Sequence, residues 1–341
     1  MEKDNEKRRR KSIRRTLMIC CGLFSFFVLI ESCCKMRVNT IKCEGISGTP
    51  KVLQFLNTLD GIVLCNDGDL YTDAKAIICK TSDGGRKWNA LHTIEGFIFT
   101  DKAAVYKEKI YCIITKSSNL SNNYILRYDC EKDSYTIIDF NIESYGDIWA
   151  DNGFIYCNYY SNHSRHVIKL DDSTLKYNSK SFNWVAKTNG IISEKNNLYF
   201  ITHSNEFMSI CDSNVNEISI IRPQSIAKTN QNIILISANT NNKTITLYEY
   251  CQEKNSLFNT CSFEGYDVAS DFKINNETAV LFLGYKKNTI LKYDIVCRSS
   301  SKKEWHKIPI ASMNIISPSC VADNYCYIFT SNCRINKIKI E

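Results

Sequence analysis

Seven short runs of β-branched, aliphatic and aromatic residues recur along most of the chain at a nearly constant interval. The runs begin at Ile62, Ile110, Ile155, Leu198, Ile233, Ala279 and Tyr325, so successive starts are 48, 45, 43, 35, 46 and 46 residues apart. Clusters of Asn, Asp, Ser and Lys separate them, as turns separate strands. A self-similar period in the forties is typical of a solenoid or a propeller.

Each repeat unit can be divided into the same four strands. In the second unit an inner strand at residues 102–106 precedes the run IYCIIT, which is followed by YILRYDC and, after a polar turn, YTIIDF. The fifth and sixth units follow the same layout. Four strands in each unit fit a propeller blade, so the sequence predicts an all-β fold, a seven-bladed β-propeller. Six or eight blades remain alternatives because the fourth unit is short.

The last unit lacks a fourth strand, since only residues 334–341 follow its second strand. The segment RVNTIKC at residues 37–43 alternates like a strand and precedes the first unit. We expect it to pair with the last blade and close the ring, which leaves no open sheet edge. The predicted propeller domain is therefore residues 35–341.

The N-terminus has the pattern of an export signal. Residues 1–15 carry eight Lys and Arg against three acidic residues, and residues 16–30 contain no charged side chain. Basic residues before an apolar stretch direct the chain to a membrane and stay in the cytoplasm. The sequence thus predicts a basic cytoplasmic tail at 1–15, a signal anchor or transmembrane segment at 16–34, and a propeller outside the cytoplasm.

Two other outcomes of that segment are left open. A cleaved signal would give a secreted protein, and a lipidated Cys33 or Cys34 would give a lipoprotein. The sequence Ile30-Glu31-Ser32-Cys33 resembles a lipoprotein cleavage box, from which Glu31 departs.

The charge of the chain is concentrated in that tail. Of the formal net charge of +7, the first 15 residues carry +5, Glu31 and Lys35 cancel, and residues 36–341 carry the remaining +2 with their basic residues scattered. A nucleic-acid surface needs clustered Lys and Arg, so we expect no nucleic-acid partner. His163 and His166 have no acidic or Cys neighbour at ligand spacing, so we expect neither a metal site nor a cofactor.

The 17 cysteines do not have the spacing of a zinc ribbon or a redox motif, because C-x-x-C is absent. Thirteen of them lie from Cys43 onward. Cys65, Cys112 and Cys157 occupy similar places in the second strands of the first three units. Equivalent positions on face-packed sheets are too far apart for a disulfide, so we interpret these residues as small buried apolar groups.

The first unit contains Thr81-Ser82-Asp83-Gly84-Gly85-Arg86-Lys87-Trp88. This segment resembles the Asp-box, or BNR repeat, S/T-x-D-x-G-x-x-W, with Thr81, Asp83, Gly85 and Trp88 at its four fixed positions. The resemblance implies the β-propeller fold of sialidases, sortilin-type receptors and photosystem assembly-factor-type propellers. In those families the motif is a structural turn between the third and fourth strands of a blade, without a catalytic role.

We expect a non-catalytic binding or assembly module that presents its channel face to a protein or a glycan. A sialidase-like glycoside hydrolase is the first alternative and would need three Arg side chains beside a Tyr–Glu pair at the channel mouth. A structural envelope protein is the second. Trp149 and Trp184 are candidates for stacking on a ligand, although core packing is the favoured interpretation of both.

Overall fold

A computed structural model describes residues 38–340 except for 143, 152, 162–163, 183–190, 195–196, 202–206, 212–213, 220–222, 224, 229–232, 252–253, 276–277, 300–303, 311, 314–316 and 331. The predicted tail and signal anchor, with Cys33 and Cys34, lie outside these residues. Within the described residues, no helix is long and apolar enough to cross a membrane.

The described residues form 28 β-strands arranged as seven four-stranded sheets, one for each repeat unit of the sequence. The first strand of the described residues is β1 (Val38–Lys42). Sheet 1 contains β2 (Thr49–Phe55), β3 (Gly61–Asp67), β4 (Lys75–Thr81) and β5 (Asn89–Glu95). Sheet 2 contains β6 (Phe97–Tyr106), β7 (Lys109–Lys116), β8 (Asn119–Asp129) and β9 (Ser134–Ile142). Sheet 3 contains β10 (Ser144–Asp151), β11 (Phe154–Ser161), β12 (Ser164–Asp171) and β13 (Tyr177–Phe182).

The remaining sheets follow the same antiparallel order. Sheet 4 contains β14 (Ile191–Glu194), β15 (Asn197–Ile201), β16 (Phe207–Cys211) and β17 (Asn214–Ser219). Sheet 5 contains β18 (Ser225–Lys228), β19 (Ile233–Asn239), β20 (Thr244–Cys251) and β21 (Ser256–Glu264). Sheet 6 contains β22 (Val268–Asn275), β23 (Thr278–Lys287), β24 (Ile290–Arg298) and β25 (His306–Lys307). Sheet 7 contains β26 (Ser319–Ala322), β27 (Tyr325–Thr330), β28 (Arg334–Lys339) and the N-terminal β1.

The sheets form a closed ring. Each sheet contacts the next in chain order, and β26 of sheet 7 contacts β2 of sheet 1. The first strand of each sheet is the innermost one, and these strands surround a central channel. The prediction of an all-β propeller is confirmed.

The ring is joined by a pairing between the two ends of the described chain. β1 lies antiparallel to β28, with its register running from Val38 opposite Ile338 to Lys42 opposite Arg334. Ile338 is fully buried, whereas β1 is partly exposed as the outermost strand of sheet 7. The N-terminal strand therefore occupies the edge that the sequence left open in the last unit.

Burial follows the position of a strand within its sheet. The second strands β3, β7 and β23 have long runs of buried residues, whereas the fourth strand β5 is mostly exposed. A second strand lies between two neighbouring sheets, so both of its faces are covered and its sequence is continuously apolar. This is the physical origin of the seven apolar runs.

Most of the described cysteines are buried. The twelve whose side chains are described form no disulfide, and Cys65, Cys112 and Cys157 are fully buried. Burial raises the pKa of Cys157 to about 12, so its thiol stays protonated. The packing interpretation of these three residues agrees with their positions, and Cys211 lies on β16, where its thiol is not described.

Candidate binding site in the central channel

The innermost strands of sheets 1, 2, 3, 6 and 7 surround a cavity of about 850 Å³. Its lining combines aliphatic residues, such as Val105 and Ile274, with charged residues that lie near irregularities of the strands. The described charged lining residues are Lys51, Asp101, Lys102, Lys107, Asp147 and Lys273. A cavity of this size and mixed character is a typical ligand site.

Four innermost strands contain a β-bulge. Their register against the second strand shifts between Pro50 and Val52, Phe99 and Ala103, Tyr145 and Ile148, and Ser270 and Lys273. A bulge leaves extra residues outside the ladder and changes the direction of their side chains. Lys51, Asp101, Lys102 and Asp147 lie inside these shifts and line the cavity. In a regular strand only every second side chain would face the cavity. The bulges therefore place additional charged side chains on the cavity wall.

Lys102 and Asp147 form an ion pair that joins sheets 2 and 3 across the cavity wall. Lys102 Nζ lies 3.2 Å from Asp147 Oδ1, and both side chains remain partly exposed. Burial alone would lower the pKa of Lys102, but the carboxylates of Asp147 and Asp101 outweigh it and raise that pKa. Lys102 is thus a stable cation at neutral pH.

The position of Asp147 depends on its neighbours. Its backbone N–H donates a hydrogen bond to the side-chain oxygen of the buried Asn158. A Cβ atom at Gly146 would lie 2.1 Å from that same oxygen. Glycine at position 146 therefore allows Asn158 to reach the bulge and hold the backbone of Asp147.

Lys51 differs from Lys102 in its surroundings. It is half-buried within the bulge of β2. Among the residues that the structure describes, no carboxylate lies within ion-pairing distance of its ammonium group. An ammonium group without a counter-ion in a cavity can bind an anionic ligand group.

The described arginines lie away from the cavity. Arg86 belongs to an exposed turn, and Arg334 begins β28. Arg127 Nε lies 3.5 Å from Asp172 Oδ1, and Arg298 pairs with Glu249 in sheets 6 and 5. None of these four is among the lining residues. Arg37, Arg165 and Arg222 have no described side chain.

Trp149 lies on β10, the innermost strand of sheet 3, but its ring is engaged by a neighbour. It stacks on Tyr156, with ring centroids 5.3 Å apart and planes 11° apart. Its Nε1 atom is buried and has no hydrogen-bond acceptor in the described part of the chain. The Trp149 ring therefore packs against the neighbouring strand β11. Trp184 lies outside the described residues.

The turn at residues 81–88 lies between β4 and β5, the third and fourth strands of sheet 1. The Asp83 carboxylate accepts hydrogen bonds from the backbone N–H groups of Arg86 at 2.9 Å and Lys87 at 3.0 Å. These bonds lower the pKa of Asp83, with the Lys87 N–H as the largest contribution. Gly85 has a φ of 92°. The Trp88 Nε1–H donates to the Gly85 carbonyl at 2.9 Å.

The same turn holds the chain that leaves β1. The backbone N–H of Glu44 donates to the Arg86 carbonyl at 2.8 Å, and the Trp88 N–H donates to the Glu44 carbonyl at 2.8 Å. The buried Trp88 ring packs edge-on against Phe55, with centroids 6.0 Å apart. The four predicted motif residues therefore form a turn that contacts the junction between sheets 7 and 1.

Hydrogen bonds between polar side chains of neighbouring sheets were not predicted from the sequence. Asp172 accepts hydrogen bonds from Lys109 at 2.7 Å and from the Tyr111 hydroxyl, which joins sheets 3 and 2. Asp133 accepts from Lys80 at 2.7 Å and from Tyr128 at 3.0 Å, which joins sheets 2 and 1. A signal was present in the sequence, because Tyr-x-x-Glu-Lys-[Asp/Asn]-Ser occurs at residues 128–134 and 250–256.

His166 stacks on Tyr159, with ring centroids 4.7 Å apart, and His163 lies outside the described residues. In the part of the chain that the structure describes, no group of three or more His, Cys, Asp and Glu side chains could hold a metal ion.

The fold and the cavity define a β-propeller with a central-channel site. No protein-family model matches the chain, and no curated protein matches it. Similarity is found among solved structures. A structure titled "YCF48 bound to D1 peptide" is 10% identical with a TM-score of 0.53, covering 89% of this chain and 96% of that chain.

Two enzyme structures are similar to the same degree. An oligogalacturonate lyase in complex with manganese is 9% identical with a TM-score of 0.56, covering 86% of this chain and 98% of that chain. A structure from a study of two prolyl endopeptidases is 12% identical with a TM-score of 0.52. The match covers 80% of this chain and 42% of that chain. At such identities the likeness shows the fold alone.

Proposed function

We propose that this protein is a membrane-tethered β-propeller outside the cytoplasm that acts as a non-catalytic binding or assembly module. The observation that carries the binding role is the channel cavity of about 850 Å³, lined by lysines and aliphatic residues. Residues 16–34 are the proposed membrane tether.

The lining favours binding over a sialidase-like reaction. That reaction needs clustered arginines for the substrate carboxylate and a Tyr–Glu pair for the chemistry. Among the described lining residues, Tyr106 is the one tyrosine, and neither arginine nor glutamate occurs. The described arginines are instead used in a turn, at the start of β28 and in two ion pairs.

One of the neighbouring structures is a propeller bound to a peptide, whereas the other two are a lyase and an endopeptidase. Peptide binding is thus compatible with this fold. We also assign the turn at residues 81–88 to the Asp-box class, with a structural role.

Site-specific photo-crosslinking in membranes of the source cells tests the binding role. A benzoylphenylalanine replaces Val105 in the channel or, as a control, Tyr135 on the outer strand β9, because these side chains are 38% and 37% exposed. We expect a defined protein or glycan adduct from position 105 alone. Equal labelling at both positions, or no adduct at 105, would contradict the proposal.

The tether is tested separately by extraction and protease protection. We expect the full chain to remain in the membrane after alkaline carbonate washing. A chain lacking residues 1–34 should be released. In sealed vesicles, a tag before Met1 and a tag after Glu341 should lie on opposite sides of the membrane. Two tags on the same side would refute the topology.

A further inference from the structure

The cavity wall carries an excess of positive charge. Its described charged residues are four lysines and two aspartates, a net charge of +2. One aspartate, Asp147, is paired with Lys102 at 3.2 Å. The propeller segment as a whole is nearly neutral, so the described lining residues are more basic than the average of the segment. Like-charged groups in a concave site attract ligands of the opposite sign.

The lysines differ in their freedom to move. The ion pair with Asp147 fixes the ammonium group of Lys102 against sheet 3. The half-buried Lys51 has no ion-pairing carboxylate among the residues described here, so its ammonium group is available to a ligand. A ligand carboxylate beside Lys51 would gain a charge-assisted hydrogen bond without breaking an existing pair.

The uncharged lining residues favour a peptide over a glycan as the ligand. Protein sites commonly bind the flat faces of sugar rings on aromatic side chains, and the described lining holds two aromatic residues, Tyr106 and Phe272. The Tyr106 ring is also contacted by Lys107 Nζ at 5.3 Å. The other apolar lining residues are mostly aliphatic, including Val105, Ala150 and Ile274. Aliphatic walls with separated charges suit the alternating side chains of an extended peptide.

We infer that the channel cavity binds an acidic peptide segment of a partner protein, with Lys51 as the principal contact of a ligand carboxylate. Lys102 supplies a second positive charge that is positioned by Asp147. This inference rests on the proposed function, because it names the ligand class of the same cavity.

The test uses the full-length protein and an array of twelve-residue peptides of matched apolar content. The peptides carry four glutamates, four glutamines or four lysines at the same positions. We expect the protein to retain the glutamate peptides about 10-fold more strongly than the glutamine peptides, and to lose this preference as NaCl rises from about 50 to 300 mM. Equal retention of the glutamate and glutamine peptides, preference for lysine, or no retention would overturn the inference.

Charge-reversal variants test whether the preference for glutamate peptides depends on Lys51. Lys51→Glu should abolish the preference for glutamate peptides, and Lys51→Gln should reduce it, while the melting temperature stays that of the unaltered protein. Lys132→Glu is the matched control, because Lys132 is exposed in the turn between β8 and β9. An equal loss in the Lys132 variant would contradict the assignment to Lys51.

The test also separates this inference from the proposed function. If glutamine peptides bind as well as glutamate peptides and Val105→Trp removes both, the channel is a binding site and the acidic selectivity is wrong. If Val105→Trp leaves all peptide binding unchanged, both the channel site and the inference fail.

Discussion

The backbone N–H of Trp88 donates to the carbonyl of Glu44 at 2.8 Å, so the turn of sheet 1 holds the segment that follows the ring-closing strand β1. A second bond, from the Glu44 N–H to the Arg86 carbonyl, repeats the link. The turn at residues 81–88 therefore couples its own hairpin to the closure of the ring. Its contribution to stability should exceed that of a hairpin turn on an isolated sheet.

Replacement of Asp83 by Ala removes the acceptor for the N–H groups of Arg86 and Lys87. We expect the free energy of unfolding to fall by about 1–3 kcal/mol, with a lower melting temperature in calorimetry. Glu264→Ala is a control at an exposed acidic position. Retention of ligand binding below the melting temperature is expected, and a binding loss without destabilisation would contradict a structural role for this turn.

The buried pair of Asp172 and Lys109 should make stability depend on pH. Burial opposes ionisation of Asp172, but the hydrogen bonds from Lys109 and Tyr111 outweigh it and hold its pKa below the ordinary 3.8. A depressed carboxyl pKa contributes stability above pH 3.8, which is lost as the pH falls through the lower folded-state pKa.

Asp172→Asn should therefore lower the free energy of unfolding by about 2–4 kcal/mol at pH 7, because it leaves Lys109 without its carboxylate. The difference from the unaltered protein should shrink as the pH falls from about 5 to 2. Urea titrations across that range measure it. A difference that stays constant with pH would show that the carboxylate charge is not involved.

One of the described cysteine thiols should be accessible to solvent, and most of the others should be protected from reagents by burial. Cys333 is exposed, whereas nine of the other described cysteines are buried. We expect one of the described thiols to react rapidly with a water-soluble alkylating reagent, and Cys333→Ser to remove that rapid phase. After unfolding without reductant, all twelve should be alkylated, as mass spectrometry would show. Disulfide-linked peptides among them would contradict this.

The tyrosine hydroxyl groups in the repeated turns should each contribute to stability. The Tyr128 hydroxyl donates to Asp133 at 3.0 Å, and the Tyr250 hydroxyl donates to Asn255 at 2.8 Å. Each Tyr→Phe substitution should cost about 1–2 kcal/mol in the free energy of unfolding, measured by urea denaturation. Tyr71→Phe is the control, because Tyr71 is 74% exposed. A loss at Tyr71 equal to that at Tyr128 would refute the role of the hydroxyl contact.

The sequence predicts the parts of this fold that depend on burial. The second strand of each sheet is covered on both faces, so its apolar run stands out and marks the repeat. The motif turn is equally visible, because Thr81, Asp83, Gly85 and Trp88 interact within eight residues. The closing strand at residues 37–43 could be expected because the last unit lacked a strand.

The channel site could not be predicted in this way. Its charged groups reach the cavity through β-bulges, and a bulge is a property of the register between two strands, which periodicity does not reveal. The contact between Lys102 and Asp147 joins residues 45 positions apart in neighbouring sheets. Likewise, the contact between Glu44 and Trp88 depends on ring closure, which only the assembled fold provides.

The most direct test of the channel as the binding site is the ligand affinity of Val105→Trp, which adds an indole ring to the cavity wall. Tyr135→Trp on the outer strand is the matched control, because the two side chains are 38% and 37% exposed. With the partner captured at position 105 as the probe, we expect at least a 10-fold loss of affinity for Val105→Trp and none for Tyr135→Trp, at unchanged melting temperatures. Unaltered affinity in Val105→Trp would show that the ligand does not bind in the channel.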